Sequence, residues 1–413
     1  MINILLLCQG YQNLSIAYNL LDKGYKLDII IPTGHPEYEI MKEPLSKMTN
    51  VFVIDTRAQF LNLVDFLIRE KSYDYIYPTF PDHHMKLISE INDKFNLPGI
   101  KYRSYQYLKE KIDYSQIWKD LGISTPVNYQ IVPNKQTLDV VSKDIQFPCI
   151  VKPSGGMSGL GIKIISNKSD LVDFFKDVDV RMHDYQEEHG TKFKNFEYYS
   201  SDTDYIIQEY IDSPVVSIIG HVYENRAFVD LIYDIESESY PYASETALIY
   251  PSRFITSDFL EKVENFLRKF ILKVNLDNCP FMLDIIVKNN ELYFIDFAAR
   301  TSAGCHLLKY AGEDQYASKL VDRLIFGKEM NLNLKKYSMK KSLFLKYGSI
   351  KDISIEKQYL ADYIKLPTNN QVNLPRNDVS ISNNGYAYIS GDSLTDMHKK
   401  YRELVESIRV TYL

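Results

Sequence analysis

Residues 147–162 read Phe147-Pro148-Cys149-Ile150-Val151-Lys152-Pro153-Ser154-Gly155-Gly156-Met157-Ser158-Gly159-Leu160-Gly161-Ile162. An apolar run delivers one lysine, Lys152, to the edge of a segment with four glycines in seven residues, 155–161. Glycine reaches φ values closed to other residues, so backbone N–H groups of such a loop can turn inward and cradle phosphate oxygens. The spacing is not that of a P-loop, which ends in Gly-Lys-Ser/Thr. Nor does the segment feed a helix after the first strand, as a Gly-x-Gly-x-x-Gly turn does. A flexible hairpin turn is the plainer reading of the same glycines.

Further along, Phe281-Met282-Leu283-Asp284-Ile285-Ile286-Val287 and Leu292-Tyr293-Phe294-Ile295-Asp296-Phe297-Ala298-Ala299-Arg300 read as a β-hairpin with one carboxylate on each strand. Burying a lone carboxylate among apolar neighbours is costly unless a cation sits beside it. A loop of odd length centred on Asn290 sets Asp284 and Asp296 opposite each other, with Cβ atoms about 4.5–5.5 Å apart. An even loop puts them on opposite faces. Opposed acids repel unless a hard divalent ion takes oxygens from both, and Mg²⁺ bound through carboxylates and nucleotide phosphates suits such a pair. Arg300 stands at the same end. Two aspartates facing solvent on a half-exposed sheet are the alternative.

Between these segments, Tyr205-Ile206-Ile207-Gln208-Glu209-Tyr210-Ile211 reads as a strand running into a short connection. It can offer backbone groups to an adenine edge and a carboxylate to a ribose, or be an ordinary strand. Residues 181–203 are polar and lack a period, which suggests a mobile insertion.

The N-terminal third alternates: strand 2–7, helix through Ile16, Leu20 and Leu21, strand 27–31, strand 73–77, helix 82–95. This predicts a small parallel sheet with covering helices. A helix from 104 to about 121 follows, and strands and helices mix after it, so the fold class is α/β plus α+β. The expected units are 1–103, a βαβ domain; 104–148, a connecting helix and strand; 149–218, a small lid domain; and 219–413, a large domain with a C-terminal subdomain. A helix over 393–407 is expected to close the chain.

With 48 Lys and Arg against 54 Asp and Glu, the net charge of −6 leaves no positive field for a nucleic-acid backbone or an anionic membrane. Small-molecule partners fit better. Cys8, Cys149, Cys279 and Cys305 are far apart and suit a reducing cytoplasm rather than a disulfide frame. No stretch is long and apolar enough for a signal core or a membrane span.

Taken in order, these segments resemble the ATP-grasp superfamily, in particular the branch of biotin carboxylase, carbamoyl phosphate synthetase and the amino-acid ligases. The resemblance implies an ATP-grasp fold preceded by an N-terminal parallel-sheet domain. It implies ATP and Mg²⁺ as cofactors, with Lys111 and Lys152 on the α and β phosphates. Ser154, Gly155, Gly156, Ser158 and Gly159 would fold over the phosphates. Gln208, Glu209, Tyr210 and Ile211 match the hinge that holds adenine, Asp284 and Asp296 the paired metal acids, and Arg300 the arginine that steadies the transferring phosphate. Lys152 and Arg300 would act on the reacting groups. Asp296 stands where Glu is commonest, and Ala298, where Asn is usual, offers no metal ligand. The implied activity is carboxylate–amine (or thiol) ligation through an acyl phosphate, possible as a homodimer. A nucleotide-binding regulator and a carboxylase-type subunit are the alternatives. His221 and His306 are candidate bases by residue type alone.

Overall fold

The computed structural model describes residues 2–7, 12–32, 45–54, 57–79, 84–132, 144–155, 162–176, 204–238, 244–355, 364–367, 371–372 and 385–413. Gly156, Ser158 and Gly159 of the glycine loop, Cys8 and the expected insertion over 181–203 lie outside them.

The N-terminal unit is a parallel sheet in the order β3-β2-β1-β4, with β1 Asn3–Leu7, β2 Lys26–Pro32, β3 Asn50–Ile54 and β4 Tyr75–Tyr77. Helices α1 (Gln12–Asp22), α2 (Arg57–Glu70) and α3 (His84–Lys94) connect and cover it. Strand β3 and helix α2 were not anticipated. β3 is the edge strand and leaves Val53 38% exposed, so its apolar signal is diluted.

The single helix expected from residue 104 is two: α4 (Tyr102–Leu108) and α5 (Lys111–Asp120). Glu110 between them is extended, at φ −138° and ψ 151°. That break lets Lys111 N donate to Ser154 O at 3.0 Å and the Ser154 hydroxyl donate to Glu110 Oε2 at 2.9 Å. A small antiparallel sheet follows in the order β5-β8-β6-β7: β5 Asn128–Val132, β6 Cys149–Pro153, β7 Lys163–Ile165 and β8 Tyr205–Glu209. A helix over 168–176, α6, packs Phe174 and Phe175 on Tyr205.

The largest sheet has eight strands, and its first members are β13 (Glu291–Ala298), β12 (Cys279–Lys288), β9 (Val215–Tyr223) and β10 (Arg226–Glu238). β11 (Ser244–Tyr250), β14 (Tyr337–Ser342), β18 (Tyr386–Gly391) and β16 (Ile364–Lys365) complete it. Alternation along β9 sends Val216, Ile218 and Val222 to a core shared with α7 (Ser257–Val274) and Trp118, and Ile219 to a core shared with the N-terminal sheet. Helices α8 (Cys305–Tyr310) and α9 (Tyr316–Phe326) belong to that second core. A three-stranded sheet of β17 (Gln371–Val372), β15 (Gly348–Ser354) and β19 (Arg409–Tyr412) ends the fold. Helix α10 (Leu394–Ser407) is therefore not the closing element, because β19 follows it and pairs with β15.

Candidate active site

The hairpin corrects one expectation and keeps its consequence. Lys288 pairs with Glu291, so the turn is the two residues Asn289 and Asn290, with φ of 50° and 68°. Two positive φ values in a two-residue turn match the twist of the flanking strands, and asparagine tolerates them. The loop is even, not odd and centred on Asn290, and an unbroken ladder would separate the acids. A β-bulge between Asp284 and Ile285 restores them: Ile285 pairs with Phe294, while Asp284 pairs with Asp296. Both acids project from one face.

Helix α5 is set against them by Trp118, fully buried against Phe266, Phe270 and Phe294. Tyr114, one turn earlier, packs on Trp118 at 4.7 Å between ring centroids and donates its hydroxyl to Asp296 Oδ1. Lys111, another turn back, lies 3.5 Å from the same oxygen. Positions 111, 114 and 118 share a helix face. Lys152, on β6, is buried, and that burial, with Lys111 nearby, pushes its ammonium down to about 8 against the opposing pull of Asp296. Two lysines thus converge on the carboxylate pair.

Asp284 is partly buried, and its Oδ1 is fully so, with no hydrogen-bond partner among the described residues. Burial, then the Asp296 charge, pushes its carboxyl up to about 7, against the pull of Ser217 and Arg300. An orphaned buried carboxylate oxygen beside a second acid is what a hard cation satisfies. Among the described residues no cluster of three or more ligating side chains occurs, so a metal here would rest on Asp284, Asp296 and phosphate oxygens. These residues fit Mg²⁺.

Arg300 is 5% exposed, and its Nη1 donates to Thr301 O at 3.1 Å and to Met282 Sδ at 3.5 Å. Thr301 in turn donates its N–H and hydroxyl to Pro78 O at 3.2 and 3.0 Å, tying the arginine segment to the end of β4. Across the sheet Asp284 faces Ser217, and Ser217 faces Tyr233. A Cβ at Gly304 would meet the Tyr233 ring at 2.5 Å, so only glycine lets the segment after Arg300 lie on that ring.

The other expected residues are placed as follows. Ser154 is fully buried and its hydroxyl is bonded to Glu110, while Gly155 ends the described part of the loop. Gln208 donates its amide to Asn128 Oδ1 at 2.6 Å, and Glu209 Oε2 accepts from Val127 N at 3.1 Å. Tyr210 and Ile211 lie beyond the β8 ladder, with the Tyr210 hydroxyl donating to Asp212 Oδ1 at 3.3 Å. His221 is a packed residue: Nδ1 lies 3.0 Å from Asp230 Oδ2 and its ring stacks on Phe228. Sequence reasoning missed Tyr114, Ser217 and Tyr233. Only Tyr114 left a signal, its position one turn beyond Lys111.

Residues 145–309 match the family profile described as the ATP-grasp domain. A 241-residue stretch is 21% identical to the carbamoyl phosphate synthase large chain of Sulfurisphaera tokodaii, covering 57% of this chain and 21% of that protein. The chain therefore spans about a fifth of that relative's length. Among solved structures, an L-amino acid ligase from Bacillus licheniformis superposes with a TM-score of 0.79 at 15% identity, over 100% of this chain and 99% of that one. The biotin carboxylase domain of a 2-oxoglutarate carboxylase from Hydrogenobacter thermophilus, solved with MgADP and bicarbonate, superposes at 0.67 and 14% identity, over 99% and 90%. Residues 145–309 thus match the ATP-grasp domain, in a chain that shares the fold of these solved structures.

Proposed function

We propose that the protein is an ADP-forming ligase that joins a carboxylate to an amine through an acyl phosphate. The observation that carries this reading is the convergence of Lys111, Lys152, Asp284, Asp296 and Arg300 around one face of the β12–β13 hairpin. The whole-length likeness to an L-amino acid ligase makes amino acids the first substrates to test.

In this reading a carboxylate oxygen attacks the γ-phosphorus of ATP in line, and ADP leaves. The amine nitrogen then attacks the acyl carbon, phosphate departs with the C–O electron pair, and the nitrogen gives up a proton. Positioning and charge neutralisation supply most of the rate. Lys111 and Lys152 would bind α- and β-phosphate oxygens, Arg300 the charge on the transferring group, and the hinge at 208–211 the adenine, read by backbone. Asp284 and Asp296 would hold Mg²⁺, which neutralises phosphate charge when bound. Sheet membership suggests a boundary within 210–214 rather than at 218, since β8 belongs to the small sheet and β9 wholly to the large one. No helix among the described residues is long and apolar enough to cross a membrane, and ATP-dependent chemistry on small molecules suits the cytoplasm.

ADP release measured over pooled carboxylates and amines, bicarbonate included, tests the reading. Lys152→Ala should weaken ATP binding at least tenfold in calorimetric titration while the variant stays folded. Unchanged affinity removes the phosphate assignment. ATP binding with no ADP release from any pair would favour the non-catalytic regulator that Ala298 motivates.

A further inference from the structure

The Tyr114 side chain is buried and its ring packs on Trp118, so its hydroxyl has little freedom to turn away from Asp296. It donates to Asp296 Oδ1, the oxygen that also accepts from Phe297 N at 3.1 Å and lies 3.5 Å from Lys111 Nζ. A carboxylate oxygen has about two lone-pair directions. The Tyr114 hydroxyl and the Phe297 N–H fill both, even when a phosphate draws Lys111 away. Asp296 therefore has Oδ2 to turn to a cation.

Around the pair the chain supplies no second set of ligands. Asp284 brings its buried Oδ1, which has no hydrogen-bond partner among the described residues. Ala298, the next residue on the Asp296 face of β13, carries no side-chain donor atom. Glu245, the further acid whose charge acts on Asp284, is held by Lys340 at 2.7 Å. Among the described residues no third ligating side chain joins the two aspartates. The oxygens so placed suffice for one Mg²⁺ completed by phosphate and water, and they give a second ion no acid of its own.

We infer that the site holds a single divalent ion and that Tyr114 is the positioning residue that makes it so, by fixing Asp296 to bind through one oxygen. The inference rests on the nucleotide-binding part of the ligase reading, to which it adds the number of ions and the residue that governs it. Tyr114 acts through Asp296 and takes no part in the transfer itself. Partners standing behind a metal ligand orient it, and removing one typically costs about 10–100-fold in metal affinity. The Tyr114 hydroxyl is such a partner, held in place from the other side by the Trp118 anchor.

Mn²⁺ replaces Mg²⁺ as the probe. The full chain, in excess over the β,γ-imido analogue of ATP so that the nucleotide is bound, is titrated with Mn²⁺, and free Mn²⁺ is read by electron paramagnetic resonance. Wild type should take up one Mn²⁺ per bound nucleotide, a count that needs no substitution. Tyr114→Phe keeps the ring on Trp118 and removes only the hydroxyl. It should hold Mn²⁺ about tenfold more weakly, with its affinity for the analogue in chelator within about twofold of wild type. A purely structural role would lower both affinities together. Two ions per nucleotide in wild type, or none, overturns the inference, as does a variant that holds Mn²⁺ as tightly as wild type or loses both affinities alike. If ADP release from carboxylate–amine pairs accompanies any of these results, the ligase reading stands without the single-ion site. The expected pattern with no ADP release from any pair keeps the single-ion site and overturns the ligase reading.

Discussion

Asp284 answers to two opposed demands, since its oxygens must be available to a cation and yet stay folded when none is present. Its carboxyl, pushed up to about 7 from 3.8, is a raised pKa, so its contribution to stability is complete below about 3.8 and is lost as pH rises through 7. Asp284→Asn should therefore stabilise the metal-free protein by about 1–2 kcal/mol at pH 8 and leave it unchanged at pH 4. Urea unfolding in chelator at the two pH values measures this, and a loss of stability at pH 8 would contradict it. Mg²⁺ with ATP should reverse the order, stabilising the wild type more than the variant. Both acids were legible in the sequence, because a carboxylate inside an apolar strand stands out. Ser217 was not, because a hydroxyl in an amphipathic pattern carries no such contrast, and Tyr114 was marked only by its place one turn beyond Lys111.

Helix α5 is anchored at its C-terminal half by Trp118 and at its first residue by the Lys111 N–Ser154 O bond. Trp118 fills the space between α7 and β13, and on the same helix face Lys111 and Tyr114 reach Asp296. Trp118→Ala should cost about 3–5 kcal/mol and Trp118→Phe markedly less. The Ala variant, if folded, should also bind ATP more weakly, although residue 118 itself faces the core. Parallel denaturation and calorimetry check both, and an Ala variant with unimpaired ATP binding would show that α5 is held by something else. The hairpin teaches the same lesson about elements. Its two strands were plain from alternating apolar residues, but loop parity predicted the facing of the acids for the wrong reason. The turn obeyed the two asparagines, and the bulge obeyed packing: Phe294 and Phe297 both reach the α7 core, which leaves Ile295 as the extra residue.

At the scale of the molecule, the N-terminal unit is locked to the large one through Asp322 of α9. Its Oδ1 accepts from the Tyr25 hydroxyl at 2.5 Å and lies 3.1 Å from Lys328 Nζ, and Lys23 Nζ is 3.3 Å from Oδ2. Burial pushes this carboxyl up, but the hydrogen bonds from Tyr25, Lys328 and Lys23 outweigh it and hold the group below the usual range. Asp322→Ala leaves the Tyr25 hydroxyl and two ammonium groups without their shared acceptor and should cost about 2–4 kcal/mol. Hydrogen exchange should quicken in β1, β2 and β4 and stay unchanged in β15 and β19, whose Ile353 and Val410 pack on a different core. Uniform acceleration through the chain would mean that the two units unfold together.

The sequence by itself determined the alternation that makes the parallel N-terminal sheet, though not its edge strand β3 or helix α2, and it marked the candidate charged residues of the site, because apolar periodicity and isolated charges are local properties of a chain. It also carried the likeness to the ATP-grasp fold, since that likeness lies in the order of short segments. Only the tertiary structure decided the facing of Asp284 and Asp296, the docking of α5 by Trp118, and the hold of Tyr114 on Asp296. Each of these depends on residues far apart in sequence, as between Lys111 and Asp296 or Pro78 and Thr301, whose meeting is settled by which apolar faces pack together.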